Sequence, residues 1–539
     1  MQQLQTLDYI VFFFYFIVVS GYGYWIYQRK KSPTESTQDF FLAEGSLTWW
    51  AIGASLIASN ISAEQFIGMS GNGFSMGLGI STYEWMAAAT LIIVAVFFMP
   101  IYLKNKIYTM PQFLSQRYNP TVSLIMAIFW LALYILVNLT SILYLGALAV
   151  SGISGLDFTF CMIALAVFAI IITIGGMKVI GFTDVIQVFF LVIGGLATTY
   201  LAINLVSEQT GIDGLMSGMK MMRENHDDHF HMIFPKSSPF YMQLPGLTVL
   251  LGGMWIVNLN YWGCNQYITQ RALGADLKTA RNGILFAAGL KLLMPVIVVL
   301  PGIAAYALYS KGLFQAEMLG EDGMINPDKA YPVLLNLLPT GLKGLSFAAL
   351  TAAVVASLAG KANSISTIFT LDIFRNYIGK DADEKKLVWI GRWVVVVAMV
   401  LAIVVSPYMG IDKKGGFQFI QEMTGLLSPG IFASFIMGFF WKRTNSAGAL
   451  FAIVGGFVIA LGMHNNYLPF MDWTQVPFLD RMGLVFLICV VVMFILGLVL
   501  PDEKKGLQID SSMFIPHRSF IIWASIVIAI IAFLYYHFW

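Results

Sequence analysis

A polar run at positions 60–67 reads NISAEQFI and interrupts a stretch that is otherwise apolar enough to cross a bilayer. It brings one carboxylate, two amides and a hydroxyl to membrane depth. The ionised carboxylate alone costs about 2.5–3.5 kcal/mol there on insertion scales, so such groups persist only where they face a partner, a cavity or a ligand. The run therefore indicates a binding site for a polar solute or an ion within the membrane.

Backbone carbonyls beside this run offer a second kind of chemistry. A break in a membrane helix frees carbonyl oxygens, which must then be buried against protein or line a wet cavity. Small hard cations such as sodium prefer oxygen ligands. We therefore expect the carbonyls of Ala58 and Ile61 to be able to bind a cation.

Polar side chains recur in other apolar stretches of the chain. Amides, an acid and a base can together donate to and accept from the hydroxyls of a neutral polyol. The set consists of Asn60, Gln65, Glu84, Asn138, Asn258, Lys291 and Gln421. Aromatic rings that could stack on a sugar or block its exit are those of Tyr83, Tyr261, Trp262 and Phe417. Each polar residue taken singly is more often a contact between membrane helices, but their joint position favours a binding site.

Composition sets the class of protein. Of the 539 residues 58% are hydrophobic and 11% are charged, and the mean hydropathy is +0.76. A soluble domain carries roughly 25% charged residues, so the chain is predicted to be a polytopic membrane protein. A net charge of +2 without a basic stripe gives no support to nucleic-acid binding. The sequence contains no Walker-type phosphate loop, which argues against ATP-driven transport, and no enzymatic activity is expected.

A window of about twenty residues, the length needed to cross about 30 Å of hydrocarbon, finds fourteen candidate spans. They lie near 9–27, 47–72, 78–103, 122–150, 157–176, 184–206, 246–269, 283–310, 342–371, 387–407, 416–441, 446–464, 481–500 and 520–538. If the amino terminus lies outside, most of the 31 basic residues fall in cytoplasmic loops. Both termini are therefore predicted to be extracytoplasmic.

Two of these spans carry a polar interruption, and they run in opposite directions. The span 47–72 begins inside, whereas the span 246–269, interrupted at 258–263, begins outside. Each of the two interrupted spans is the first of five consecutive spans, and the two groups of five run in opposite directions. This arrangement matches the inverted-repeat design of secondary transporters. The predicted organisation is an N-terminal helix and loop, a first repeat, an outer loop, a second repeat and three C-terminal helices, at 1–46, 47–206, 207–245, 246–441 and 442–539.

Several motifs of the chain together resemble those of the sodium:solute symporter family, sodium/glucose cotransporter type. They are ASNISAEQFIGMSG at 58–71, YEWM at 83–86, YWG at 261–263, NQY at 265–267 and QR at 270–271. The likeness covers nearly the whole chain. It implies an all-α polytopic fold of about 14 transmembrane helices, built on a five-plus-five inverted repeat of LeuT type whose first and sixth core helices are broken.

The resemblance also implies roles for individual residues. Substrate binding would fall on Asn60, Ser62, Gln65, Glu84, Asn138, Asn258, Lys291 and Gln421. The gates would be Met69, Tyr83 and Phe417 on the outside, and Tyr261 with its neighbour Trp262 on the inside. The sodium site would use the backbone carbonyls of Ala58, Ile61 and Ala353 with hydroxyl support from Ser357.

The implied cation site departs from the family pattern at two positions. Position 356 is Ala rather than serine, which leaves Ser357 as the only hydroxyl of that pair. One helical turn further on stands Lys361, where a neutral residue is expected, and Gly360 before it leaves room for a long side chain. The Lys361 ammonium could reach the cytoplasmic headgroups, pair with Asp184 on the family's sodium exit route, or substitute for the cation.

We expect a secondary active transporter that imports a monosaccharide, galactose or glucose, together with sodium by alternating access. A sodium-independent or proton-coupled carrier in which Lys361 replaces the cation is one alternative. A membrane sensor that binds sugar without moving it is another. The expected partners are the sugar, sodium as coupling ion and the lipid bilayer, with no cofactor, no nucleic acid and no obligate protein partner. The expected location is a bacterial inner membrane.

Overall fold

The computed structural model describes residues 4–29, 37–43, 47–208, 214–320, 323–408, 416–500 and 507–539. These residues are mainly helical, and an isolated β-bridge joins Leu319 to Ile325. In chain order the α-helices of eight or more residues are Thr6–Arg29, Trp49–Asn60, Thr82–Ile93, Met110–Arg117, Pro120–Ala132, Thr140–Ser154, Phe158–Ile174, Gly176–Glu208, Leu215–Asn225, Gly253–Gly263, Gln266–Leu273, Leu277–Val298, Leu300–Ser310, Ala330–Leu337, Leu342–Thr367, Glu384–Val405, Gly416–Gly425, Ser428–Phe440, Gly456–His464, Phe478–Val499 and Arg518–His537. The fold class is therefore all-α, as predicted.

Turns of π-helix lie within several of the long helical stretches. They are Glu64–Met69, Val94–Phe98, Leu133–Leu139, Ile368–Ile378 and Phe451–Gly455. Such turns insert an extra residue into the helix and often occur at functional sites. Glu64–Met69 overlaps the second half of the polar run at 60–67.

Within the described residues, ten helices are long and apolar enough to cross a membrane. An eleventh span is present if Phe417–Gly425 and Ser428–Phe440, which meet at 50°, are counted as one. This number is smaller than the predicted fourteen, because three predicted spans correspond to helices that are short or broken. These spans are 47–72, 157–176 and 246–269, whose longest α-helices have 12, 17 and 11 residues.

The first broken helix consists of Trp49–Asn60 and the continuation Glu64–Met76, with the break at 61–63. Ile61 ends the first half in an extended conformation, with ψ at 109°. The backbone N–H of Ser62 donates to Gln65 Oε1 at 2.9 Å. In an unbroken helix this N–H would point to the carbonyl of Ala58. The side chain of Gln65 therefore stabilises the break that the sequence predicts here.

The second broken helix consists of Gly253–Gly263 and Gln266–Leu273, separated at 264–265. The interruption predicted at 258–263 is therefore placed wrongly, since these residues are helical. Polar side chains did not require a break there, because Asn258 donates to the Met254 carbonyl of its own helix at 3.2 Å. The chain leaves the helix after Gly263, whose carbonyl accepts a hydrogen bond from the Tyr102 hydroxyl at 2.6 Å.

A long helix, Leu342–Thr367, packs against both broken helices and is called the facing helix below. It is buried along nearly its whole length, and it packs most extensively against Gly176–Glu208. Small residues allow this approach, since a Cβ on Gly194 would lie 2.7 Å from the Ala349 Cβ. Close packing through small residues is typical of membrane helices. The facing helix therefore fixes the position of the two breaks relative to each other.

Candidate functional site

Three basic side chains inside the helix bundle each face one carboxylate. The pairs are Lys291 with Glu84, Lys361 with Glu64, and Arg271 with Asp184. All six residues are buried. An unpaired charge inside a membrane protein is costly, so such residues pair with one another and mark ligand or ion pathways. The three pairs lie at or beside the two broken helices and define the candidate site.

The first pair lies between the two broken helices. Lys291 comes from Leu277–Val298, and its Nζ donates both to Glu84 Oε2 and to Asn60 Oδ1. The Asn60 amide group in turn donates to the Tyr261 hydroxyl at 2.9 Å. The Lys291 ammonium also lies 5.2 Å from the ring centre of Trp262, a distance at which a cation is attracted to an aromatic face. Five predicted site residues are thus brought into direct contact.

Ser62 and Gln65 form a second contact within the first broken helix. Gln65 Oε1 accepts from the Ser62 hydroxyl at 3.1 Å as well as from the Ser62 backbone N–H. The Ser62 oxygen also accepts from the Glu64 backbone N–H at 3.1 Å. Because the Gln65 carbonyl oxygen is used at the break, its NH₂ group is the part suited to a ligand.

The remaining predicted substrate residues are Asn138, Asn258 and Gln421. Asn138 is buried in the π-helical turn Leu133–Leu139, which packs against Gly416–Gly425, the helix that carries Gln421. Gly416–Gly425 also packs against Glu64–Met69. Asn258 donates a hydrogen bond to the Met254 carbonyl of its own helix.

The residues predicted as the outer gate are in contact with each other and with the first broken helix. The rings of Tyr83 and Phe417 meet edge to face, with 5.1 Å between their centres. Phe417 lies so close to the first broken helix that a Cβ on Gly68 would be 2.6 Å from the Phe417 Cβ. Met69, the next residue, is fully buried. The absence of a side chain at Gly68 is therefore what permits this contact.

Tyr261, the residue predicted as the inner gate, is held by both broken helices. Its hydroxyl accepts from Asn60 and makes a short contact with the Tyr267 hydroxyl. Tyr267 donates in turn to the Ser59 carbonyl at 3.4 Å. The Tyr261 ring meets Trp262 edge to face, with 5.2 Å between ring centres. Tyr261 therefore links the residues just before the first break to the segment just after the second.

The predicted cation ligands lie where the facing helix meets the first break. Ala58 and Ile61 flank the end of Trp49–Asn60, and Ala353 and Ser357 lie one turn apart on the facing helix. The Ser357 hydroxyl donates to the Ser59 carbonyl at 2.9 Å, which leaves its oxygen lone pairs free to accept. Ala356 is fully buried and offers no hydroxyl. Ser357 is therefore the one residue of the predicted set on this helix that offers a side-chain oxygen.

Lys361 does not reach the cytoplasmic surface, and it does not pair with Asp184. It is only 3% exposed, and its Nζ lies 3.6 Å from Glu64 Oε1 and 5.0 Å from the ring centre of Tyr267. Two of the three sequence-based interpretations of Lys361 are therefore wrong. The physical reason is that a nearer carboxylate, Glu64, lies inside the bundle.

Asp184 is paired with Arg271 instead. The Arg271 Nη2 atom lies 4.0 Å from Asp184 Oδ2, and Ser55 donates a short hydrogen bond to the same carboxylate oxygen. Arg271 also donates to the Ser55 carbonyl at 3.1 Å. A Cβ on Gly360 would lie 2.3 Å from Arg271 Nη2. The room left by Gly360 is therefore occupied by the long side chain of Arg271, and not by that of Lys361.

Comparison with known proteins identifies the family. The sodium:solute symporter family model matches residues 40–456. The chain belongs to the sodium:solute symporter family. A sodium/glucose cotransporter of Vibrio parahaemolyticus is 48% identical to this symporter over 547 residues, which cover 99% of each chain. The human sodium/myo-inositol cotransporter 2 is 33% identical over 479 residues, which cover 85% of this symporter and 70% of the human protein.

Two solved structures share the fold of this symporter. A substrate-bound, outward-open Na⁺-coupled sialic acid symporter matches with a TM-score of 0.79 at 21% identity, over 93% of this chain and all of that one. Mhp1, a nucleobase-cation-symport-1 family transporter in a closed conformation, matches with a TM-score of 0.54 at 16% identity, over 88% and 98% of the two chains. At these identities the likeness shows the fold alone, which is the LeuT-type transporter fold.

Sequence reasoning counted the Glu64 carboxylate in the polar run but gave no individual role to Glu64, Tyr267 or Arg271 of this symporter. The structure gives each of them a contact at one of the breaks. A signal was available, because a basic residue at membrane depth requires an acid. Counting bases against acids within the predicted spans would have left Glu64 as a charge in need of a partner. Arg271 lies just outside the predicted span 246–269, so this count would not have included it.

Proposed function

We propose that this symporter imports a monosaccharide together with sodium by alternating access. The observation that carries the proposal is the network of Lys291, Glu84, Asn60 and Tyr261, which joins the two broken helices of a sodium:solute symporter. Discontinuous helices near the midplane are where such transporters bind substrate and ion. The Vibrio relative, a sodium/glucose cotransporter, supports a sugar as substrate.

The network has the chemistry that a sugar requires. Its members include donors and acceptors, and the amide groups of Asn60 and Gln65 can supply both. Bonds between side chains in the network would be exchanged for bonds to sugar hydroxyls, so the site stays satisfied with and without ligand. The other proposed ligands are Ser62, Asn138, Asn258 and Gln421, and the proposed gates are Met69, Tyr83 and Phe417 outside with Tyr261 and Trp262 inside.

Sodium is proposed to bind between the first break and the facing helix. The carbonyls of Ala58, Ile61 and Ala353 and the hydroxyl of Ser357 would supply oxygen ligands. Such an ion would join two separate elements. A ligand shifts a conformational equilibrium only by its different affinity for the two states, so sodium must bind more tightly in the outward-open state. Asp184 is proposed to receive the ion on its way to the cytoplasm.

The larger organisation follows from the same proposal. We assign fourteen transmembrane helices, with the inverted repeats at 47–206 and 246–441 and the additional segments at 1–46, 207–245 and 442–539. Both termini are placed outside a bacterial inner membrane, and sugar, sodium and lipid are the proposed partners. The overlap of each predicted span with helix in the structure supports this assignment.

The test is uptake of labelled galactose and glucose into liposomes that contain the purified protein. We expect an inward sodium gradient to raise the initial rate of uptake of one of these sugars above the rate with choline. A protonophore should leave that stimulation unchanged. Stimulation that the protonophore removes would indicate proton coupling, and sugar binding without uptake would indicate a sensor. Either result would contradict the proposal.

A further inference from the structure

Lys361 brings a positive charge into the interior of the facing helix. Nearly all residues of Leu342–Thr367 are buried, and Lys361 itself is 3% exposed. Its Nζ lies 3.6 Å from Glu64 Oε1. A buried ammonium that pairs with a carboxylate of another element joins the two elements. Here it joins the facing helix to the segment that follows the first break.

The facing helix also contacts the segment that precedes the break. Ser357, one turn before Lys361, donates to the Ser59 carbonyl at 2.9 Å. Ser357 and Lys361 are four residues apart, so both project from the same side of the helix. The facing helix therefore contacts the first broken helix on both sides of its break, through Ser357 before it and Lys361 after it. Of these two contacts, the one made by Lys361 is between charged groups.

The other two buried basic residues of the site are paired with other carboxylates, so Lys361 is the basic residue that faces Glu64. Arg271 of the second broken helix lies 4.0 Å from Asp184, an acid of Gly176–Glu208. Lys291 is paired with Glu84. Tyr267, also of the second broken helix, presents its ring to Lys361 with 5.0 Å from Nζ to the ring centre. Of the three positive charges near the first break, the Lys361 ammonium is the one that faces Glu64, a carboxylate that would otherwise attract a free cation.

We propose that the Lys361 ammonium is a tethered cation of the first broken helix. Bound to Glu64, it does part of what a bound sodium ion does, because it joins the broken helix to the facing helix and neutralises the carboxylate. Sugar exchange across the membrane therefore continues at a lower rate without sodium. Sodium also binds more weakly than it would beside a free Glu64. The inference deepens the proposed function and rests on it for the sugar-transport readout.

The first test compares the wild type with Lys361→Met, which keeps an unbranched side chain of similar length and removes the charge. Sugar exchange is measured in liposomes with equal sugar on both sides, in sodium and in choline. We expect exchange in choline to fall by about tenfold or more in the variant, and the sodium concentration for half-maximal exchange to fall by about tenfold. Unchanged values of both quantities would overturn the proposal.

A second readout does not depend on sugar transport. Sodium that binds the folded protein raises its melting temperature. We expect sodium chloride to raise the melting temperature of Lys361→Met more than that of the wild type, each measured against choline chloride. An equal effect on the two proteins would count against a tethered cation. This readout separates the two ways in which the test could fail. If the sugar assignment is wrong, neither the wild type nor any variant exchanges sugar, but the melting temperatures still report whether Lys361 affects sodium binding.

Two further variants keep the test decisive. Removal of one partner of a buried ion pair is strongly destabilising, whereas replacement of both is tolerated, so Glu64→Gln with Lys361→Met serves if the single variant does not fold. In this double variant exchange in choline should still be lost, and its persistence would overturn the proposal. Lys343→Met is the matched control, because Lys343 lies on the same helix about 27 Å away. Its sodium response should equal that of the wild type.

Discussion

At the scale of single residues, the interior is organised by pairs of opposite charge. Lys291, Lys361 and Arg271 each have a carboxylate partner, and the partner decides where the long side chain points. The importance of Lys361 was predictable from its position in an apolar helix. Its direction was not, because a lysine side chain can reach several elements and only the packed structure shows which carboxylate is nearest.

The sequence predicted which residues lie at the first break more accurately than it predicted the partners to which they bond. Asn60 and Gln65 were expected to face a ligand, and the structure shows that Asn60 bonds to Lys291 and Tyr261 while Gln65 bonds to Ser62. The sequence could indicate that these groups require partners, since unpaired polar groups are costly in a membrane. It could not indicate that these residues form hydrogen bonds with one another and with Lys291 and Tyr261.

Gln65→Ala is predicted to abolish sugar transport. The substitution removes the amide group offered to the sugar and leaves the buried Ser62 N–H without its acceptor, which costs about 1–3 kcal/mol of stability. Gln65→Glu is the matched control, since it keeps an acceptor for Ser62 and loses the NH₂ donor. We expect uptake to be lost in both variants, because neither offers the NH₂ group to the sugar. Normal uptake by Gln65→Ala would remove Gln65 from the sugar site.

At the scale of helices, the two breaks differ in how well they could be predicted. The first was placed correctly, because the polar run at 60–67 contains the side chain that stabilises it. The second lies at 264–265, just after the polar residues that suggested it. Asn258 and Asn260 find partners while remaining helical, the latter with the Ser428 hydroxyl at 3.1 Å. Polar residues in an apolar span therefore indicate a need for partners, and not the position of the break.

Gly68→Ala is predicted to prevent closure of the outer gate. The added Cβ would lie 2.6 Å from the Phe417 Cβ and 3.0 Å from its backbone nitrogen, so Phe417 could not remain in place. We expect uptake to fall by about tenfold or more, while binding of external sugar to the purified protein is retained.

The matched control for this substitution is Gly289→Ala. Gly289 also lies within a helix, but a Cβ at that position would meet no atom within 4 Å. Uptake by this variant should equal that of the wild type. Equal uptake by Gly68→Ala would show that contact between Gly68 and Phe417 is not required for transport.

At the scale of the whole molecule, composition was sufficient to predict a polytopic membrane protein, and the motifs were sufficient to predict its family and, through the resemblance, its all-α fold. The number of spans was harder to predict, because hydropathy treats a broken helix as one span while its two halves are each too short to cross. Within the described residues ten or eleven helices are long enough by themselves. Orientation remains a prediction from the basic residues of the loops.

Labelling with a membrane-impermeant maleimide tests that orientation. The three natural cysteines, Cys161, Cys264 and Cys489, are buried, so background labelling should be low. We expect Lys236→Cys, in the predicted outer loop, to react in intact cells. Lys104→Cys, in a predicted cytoplasmic loop, should react only after the membrane is permeabilised. Both wild-type side chains are exposed, so the reverse pattern would show that the orientation is inverted.

The central claim is that the two broken helices couple sugar movement to sodium. The most direct measurement is the time course of galactose and glucose accumulation in liposomes under an inward sodium gradient. The account predicts that one of these sugars rises transiently above its equilibrium level and returns as the gradient dissipates, and that equal sodium on both sides gives no such rise. Accumulation of both sugars that never exceeds equilibrium under the gradient would contradict it.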